Sequence, residues 1–99
     1  MSMSFPVTLK SGFFETQECM MKIDHLSQVI YLDCEYSGDC YVIDFARVKR
    51  IIYNVLMHHE LEIQTEHTSY IGVIQKTETQ NGLKEVLQAY FGNRYIEIR

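Results

Sequence analysis

The stretch QVIYLDCEYSGDCYVI, residues 28–43, carries a clear strand signal on both sides of a turn signal. Each flank is rich in β-branched and aromatic side chains, which favour strands. Ser37-Gly38-Asp39 lies between the flanks and is typical of a turn. The stretch therefore predicts a β-hairpin with strands at residues 28–36 and 40–43.

Two later segments show the periodicity of amphipathic helices, with apolar residues recurring three and four positions apart. Asp44 precedes the first segment as a candidate N-cap, and Gly92 follows the second as a C-terminal stop. Asn81 or Thr79 is the candidate N-cap of the second helix. The two stripes consist of Val48, Ile51, Ile52, Val55, Leu56 and His59, and of Leu83, Val86, Leu87, Tyr90 and Phe91.

The other strand candidates are residues 5–9, 14–23, 61–66, 70–77 and 95–98, with Pro6 placing the first at a sheet edge. The element order is then ββββ-α-ββ-α-β. Short connections predict mainly antiparallel pairing. We expect one compact α+β domain over residues 1–99, a sheet of about five to seven strands with two amphipathic helices packed on one face.

Composition and charge place the chain among globular proteins. It has 99 residues, 46% hydrophobic and 22% charged, with a net charge of −4. The mild acidity makes nucleic-acid binding an unlikely function. Residues 1–6 lack the features of a secretory signal, and no apolar run is long enough for a membrane helix. Three cysteines, an odd number, predict free thiols and a soluble cytoplasmic protein without membrane association.

The histidines His58, His59 and His67, with Glu60 and Glu62 between them, supply enough ligands for a metal ion. Adjacent residues on a helix point about 100° apart, so His58 and His59 would not face one ion. The paired signatures of zinc sites are also missing. We therefore predict no metal and no cofactor, and keep a site at these histidines as an alternative.

Two groups of residues suggest contacts with other proteins. Tyr53 and Met57, next to Arg50, are expected on the outer side of the first helix, and Tyr, Met and Arg are enriched at interfaces. Tyr36, Asp39 and Tyr41 lie on the hairpin, within a region that is strongly acidic. Residues 24–44 contain five acids and no Lys or Arg, and Arg47, Lys49 and Arg50 follow directly. This pattern is typical of a surface that steers a basic partner or a second copy of the chain.

Residues 38–49, GDCYVIDFARVK, followed by Leu56-Met57-His58-His59, resemble the strand-to-helix segment of the 6-pyruvoyltetrahydropterin synthase family. That resemblance implies an antiparallel sheet-and-helix fold, zinc held by histidines and pterin-like substrates. The family's His-x-His zinc pair before this segment is missing, and Met57 replaces an expected acidic residue. The glycine spacing differs as well, so the family's chemistry is not carried over to this chain.

These observations favour a small non-enzymatic interaction or regulatory module, inhibitory or recruiting, over an enzyme. Its partner is expected to be an unidentified protein, and a homodimer is expected through an exposed edge strand, residues 5–9 or 95–98. One alternative is a small metal-dependent enzyme or ligand-binding protein that uses His58, His59 and His67. A second alternative is a weakly acidic decoy for a nucleic-acid-binding protein.

Overall fold

Eight strands and one α-helix make up the protein in a computed structural model, which describes residues 2–11 and 15–99. Short 3-10 turns lie at Phe45–Arg47, Val55–Met57 and Gly92–Arg94, and the helix α1 is Thr77–Phe91. Phe14, where one predicted strand begins, lies outside the described residues. The strands are β1 (Ser2–Lys10), β2 (Thr16–Asp24), β3 (Val29–Cys34), β4 (Asp39–Asp44), β5 (Val48–Asn54), β6 (Glu60–Thr65), β7 (Ser69–Val73) and β8 (Tyr95–Ile98).

The strands form a single mixed sheet in the order β4-β3-β2-β1-β7-β6-β5-β8. Neighbouring strands pair antiparallel, except that β8 runs parallel to β5. Two parallel neighbours require a crossover connection. The chain from β5 to β8 makes this crossover through β6, β7 and the helix α1. The α+β class dominated by sheet is confirmed. The prediction of about five to seven mainly antiparallel strands with two helices on one face is wrong, because the described ranges contain eight strands in a mixed sheet and a single α-helix.

The segment predicted to be the first helix is strand β5, followed by the 3-10 turn at Val55–Met57. Val48 pairs with Thr65 and Arg50 pairs with Gln64, so β5 carries one extra residue in a β-bulge. The bulge places Val48 and Ile51 on the same face although they are three positions apart. This spacing is also the spacing of a helix, so the bulge explains why the periodicity was misleading.

The predicted second helix is confirmed as α1, which buries one side against the inner face of the sheet. Phe91 near its end packs on Phe45, with ring centroids 4.7 Å apart. Gly92 follows with a φ of 53°, a conformation that favours glycine, and its N–H donates to the carbonyl of Gln88. The helix begins at Thr77, so neither Thr79 nor Asn81 is its N-cap.

The two halves of the sheet meet at a narrow seam between β1 and β7, which pair only at Thr8 and Leu9. A Cβ atom on Gly72 would lie 2.6 Å from Cγ2 of Val7, so only glycine permits this close approach. The expectation that Pro6 lies on an edge strand is wrong, since β1 is central. Pro6 nevertheless lies outside the β1–β7 pairing. At its position β1 pairs with β2 on one side and has no partner strand on the other.

Cys19 and Cys34 are joined in a disulfide, and Cys40 is free and exposed. The β2–β3 register pairs Met20 with Asp33, which places Cys19 directly opposite Cys34. The expectation of three free thiols is therefore wrong for two of them. The cytoplasmic location stays a prediction without that support.

No helical segment within residues 2–11 and 15–99 combines the length and the apolar character that crossing a membrane would require.

Candidate interaction surface

The predicted face of Arg50, Tyr53 and Met57 does not exist as one face, because β5 is a strand and not a helix. Tyr53 points to the inner side of the sheet and is 0% exposed. Arg50 is exposed and pairs with Gln64 of β6, and Met57 is exposed in the 3-10 turn beyond the strand. The expected outward position of Tyr53 is wrong, while contacts of Arg50 and Met57 with a partner stay a prediction.

Tyr53 instead anchors a partly buried polar contact at the end of β5. Its hydroxyl and Nδ1 of His59 form a hydrogen bond of 2.8 Å, and the ammonium group of Lys84 lies 5.6 Å from the centre of its ring. Burial, together with the negative charge of Glu97, raises the pKa of Tyr53 to about 12. Tyr53 is therefore a neutral phenol that holds His59 in place.

The three histidines considered as metal ligands do not come together. His59 precedes β6 and His67 follows it, and the six residues of β6 span about 20 Å at about 3.3 Å per residue. His58 adopts a left-handed conformation and is exposed, and His67 lies beside Glu66. Within the described ranges, no three His, Cys, Asp or Glu side chains are grouped as metal ligands would be.

The three hairpin residues differ in their exposure to solvent. Tyr36 lies in the β3–β4 turn and is 95% exposed, and Asp39 is exposed at the start of β4. Tyr41 is half-buried and packs near Tyr70, with ring centroids 5.7 Å apart. Tyr36 and Asp39 therefore lie at the exposed tip, whereas Tyr41 lies further along β4 on the inner side, to which Asp39 is also directed by the register.

An apolar cluster that the sequence analysis missed lies on the outer face of β2, β3 and β4. Tyr31 is directly opposite Val42 of β4 and Lys22 of β2, and Met20 is diagonal to it. Val42 is 55% exposed and Met20 is 37% exposed, because α1 packs on the opposite side of the sheet. The alternation within β3 and β4 is the signal that predicts this cluster, once the two strands are in register.

Carboxylates surround this cluster. Asp33 pairs with Cys40 and lies 3.8 Å from Lys22, which is the one Lys or Arg in the described strands β2, β3 and β4. Asp24 accepts hydrogen bonds from the backbone of Ser27 and Leu26, which hold its pKa below the usual value. We call this surface the acidic face; it consists of Met20, Lys22, Asp24, Tyr31, Asp33, Val42 and Asp44.

A second surface lies where α1 meets the edge strand β8. Glu97 points to the inner side and accepts hydrogen bonds from the hydroxyl of Tyr95, at 2.8 Å, and from Arg99. Burial favours the neutral form of Glu97, but these two hydrogen bonds, together with the positive charges of Arg99 and Lys84, lower its pKa. Burial, followed by the hydrogen bond to Glu97, raises the pKa of Tyr95. Beside them runs an open groove of about 530 Å³, which is lined by Glu97, Arg99 and the α1 residues Asn81, Lys84, Glu85, Gln88 and Ala89.

No protein-family model matches this chain, and no curated protein matches it. The segment that resembles the 6-pyruvoyltetrahydropterin synthase family runs from strand β4 into strand β5, not from a strand into a helix.

Proposed function

We propose that the chain is a small interaction or regulatory module that binds a basic amphipathic segment of a protein partner on its acidic face. One observation carries this proposal: Tyr31, Val42 and Met20 lie together on an outer sheet face that α1 leaves uncovered. Apolar side chains grouped on one open face and bordered by polar ones are typical of interaction sites.

The charges on the acidic face specify the chemistry of the partner. Asp24, Asp33 and Asp44 border the apolar cluster, and Lys22 already lies near Asp33. Three carboxylates against one ammonium group attract cationic side chains and repel acidic ones. A partner that buries the apolar cluster gains about 25 cal/mol for each Å² of apolar surface removed from water. Lys or Arg at the border of that partner would then set its orientation.

The dimensions of the acidic face suit a helix. Three neighbouring strands about 4.8 Å apart give a strip about 10 Å wide between the outer two, which is close to the diameter of an α-helix with its side chains. A helix on a sheet face is also a common way to bury a single apolar stripe. The proposed ligand is therefore a helix with apolar residues on one side and Lys or Arg at the margins.

The two alternatives fare differently on this geometry. A metal-dependent enzyme built on His58, His59 and His67 loses support, because β6 separates His59 from His67. An acidic decoy for a nucleic-acid-binding protein would use the same acidic face, since such proteins present basic surfaces. The decoy is thus a special case in which the basic partner normally binds phosphates.

A titration with a synthetic peptide tests the proposal. The probe is a labelled amphipathic helix of about 18 residues with leucines on one side and lysines on the other. The variant Asp33→Asn/Asp44→Asn should weaken its binding about tenfold, which corresponds to about 0.7 kcal/mol at each carboxylate. Val42→Thr should weaken binding as well, because it makes the apolar centre polar.

A matched control separates a binding surface from general attraction to an acidic protein. Glu15→Gln/Glu66→Gln removes two exposed charges outside the acidic face and should change the affinity by less than about twofold. A peptide with glutamates in place of lysines should not bind. Equal weakening by both double variants would show that only net charge attracts the probe, and the proposed site would be wrong.

We also propose that the module associates with a second copy of itself. Of the two strands expected at an edge, residues 5–9 lie in central β1, whereas residues 95–98 form β8 at the end of the sheet.

A further inference from the structure

A cleft lies between the connection from β4 to β5 and the turn from β6 to β7. Its volume is about 220 Å³; Arg47, Val48 and Lys49 line one wall, and Thr65, Glu66 and His67 line the other. At about 30 Å³ for each water molecule, this volume corresponds to about seven waters. The cleft therefore has room for one compact group, such as a tetrahedral oxyanion.

The β-bulge of β5 leaves two consecutive cations exposed at this cleft. Lys49 and Arg50 are both exposed between the buried Val48 and Ile51, whereas regular alternation would turn one of the two inward. Arg47, in the preceding 3-10 turn, is exposed as well. Among the described residues, no carboxylate lies within ion-pair distance of Arg47 or Lys49. Two unpaired positive charges therefore line one cleft of a chain whose net charge is −4.

Hydrogen bonds hold both walls of the cleft in place. The guanidinium group of Arg94 donates to the carbonyls of Phe45, at 2.7 Å, and Val48, at 2.9 Å, which anchors the connection from β4 to β5. In the turn from β6 to β7, the N–H and the hydroxyl of Thr65 each donate to the carbonyl of Thr68 at 2.9 Å. The backbone of both walls is thus ordered before a ligand binds, which lowers the entropic cost of binding.

The charges that line the cleft favour an anion with more than one negative charge. Arg47 and Lys49 supply two positive charges, and His67 contributes a ring N–H. A carboxylate would balance one of these charges, whereas a phosphate monoester carries about −1.5 to −2 at pH 7 and has three acceptor oxygens. A guanidinium group also binds phosphate through two parallel N–H donors.

Glu66 lines the cleft as well, and its carboxylate opposes an anion. It lies 3.9 Å from Nε2 of His67, and its side chain is 71% exposed, so solvent screens its charge. Glu66 and the nearby acidic face, which begins at Asp44, would repel a continuous run of phosphates. A single phosphate group therefore suits the cleft better than a nucleic-acid strand does.

We propose that this cleft, which we call the basic cleft and define by Arg47, Lys49, Thr65 and His67, binds a phosphate monoester. Arg47 and Lys49 neutralise the phosphate, and the ring N–H of His67 donates to one of its oxygens. The ligand is either a phosphorylated side chain of a protein or a free phosphate, since both present the same group. The basic cleft lies at β5 and the β6–β7 turn and not on β2, β3 and β4, so it can fail independently of the acidic face.

Nuclear magnetic resonance of the nitrogen-15 labelled protein tests the basic cleft. The probes are a neutral peptide with one central phosphoserine, the same peptide with serine, inorganic phosphate and a short single-stranded DNA. Concentrations reach about 5 mM, because a few exposed charge pairs give affinities near the millimolar range. The phosphopeptide should shift the amide signals of residues 46–49 and 65–67, and the serine peptide should not.

Substitutions of exposed residues locate the binding. Arg47→Gln and Lys49→Gln should each weaken phosphopeptide binding about fivefold, the upper value for an exposed ion pair. Lys76→Gln is the matched control, because it removes the charge of an exposed lysine beyond the opposite end of β7. It should change the affinity less than about twofold. Glu66→Gln removes the opposing carboxylate and should strengthen binding about twofold.

Loss of affinity in the Arg47 and Lys49 variants but not in Lys76→Gln would support the basic cleft. In that case, inorganic phosphate that binds as tightly as the phosphopeptide identifies a free phosphate as the ligand, and weaker phosphate binding identifies a phosphorylated protein. Signals at the cleft that do not depend on phosphate, or equal weakening by Lys76→Gln, would overturn the proposal. DNA that binds more tightly than the phosphopeptide would overturn it in favour of nucleic acid.

Discussion

Replacing Tyr53 tests whether residues 48–54 form the strand found in the structure or the helix that the sequence suggests. On an exposed helix face, Tyr53→Ala would change the free energy of unfolding by less than about 0.5 kcal/mol. In the structure Tyr53 is 0% exposed and belongs to the core. Truncating a buried aromatic side chain to Ala costs about 3–5 kcal/mol, through lost burial and the cavity that remains. That loss is a large share of the stability of about 5–15 kcal/mol typical of such domains.

Two further variants help to interpret this loss: one removes only the hydroxyl of Tyr53, and the other is a control at an exposed tyrosine. Tyr53→Phe keeps the ring and removes the hydroxyl that bonds Nδ1 of His59 at 2.8 Å, so it should cost about 1 kcal/mol. Tyr36→Ala removes a side chain that is 95% exposed and should cost less than about 0.5 kcal/mol.

Urea unfolding followed by circular dichroism gives each free energy, provided that the slope with denaturant is unchanged. If Tyr53→Ala lowered the free energy of unfolding as little as Tyr36→Ala does, Tyr53 would have to be exposed and the strand assignment would be refuted.

Two other predictions concern chemistry within the fold. Reducing the Cys19–Cys34 disulfide, which closes a loop of sequence separation 15, should lower the free energy of unfolding by about 3 kcal/mol, and Cys40→Ser should not. Alkylation and mass measurement should find one reactive thiol before reduction and three after it; three thiols in protein purified under air would contradict the disulfide. For Tyr53, folding favours the neutral phenol and raises its pKa from 10.0 to about 12. Its contribution to stability is therefore complete below about pH 10 and falls as the pH rises toward about 12, by up to about 3 kcal/mol. Tyr53→Phe should show a smaller decline in urea midpoint over this range, and identical declines would mean that burial does not shift this pKa.

Local patterns predicted much of the secondary structure. The strands of the hairpin, the alternating strands at residues 61–66 and 95–98, and helix α1 all come from signals that depend on near neighbours. The error at β5 has a local origin as well. A β-bulge at Lys49 shifts the inward positions from a spacing of two to a spacing of three, and this mimics the period of a helix.

The candidate surfaces were harder to predict than the elements. The acidic stretch and the exposed tip at Tyr36 follow from composition and turn chemistry. The apolar cluster of Tyr31, Val42 and Met20 does not, because it joins residues of three strands and depends on the register between them. Tyr53 was expected at an interface because the misassigned helix directed it outward.

The sequence by itself determined that this chain folds as an α+β domain dominated by sheet, since alternation, turn residues and helical periodicity act over a few positions. Only the tertiary structure decided which strands are neighbours. It brought Cys19 opposite Cys34, placed residues 5–9 in the centre of the sheet and left β8 at its edge. The physical reason is that strand order and register depend on pairing between residues distant in the chain. One shift in register moves every side chain of a strand to the opposite face, so the location of each surface could not be read from local pattern.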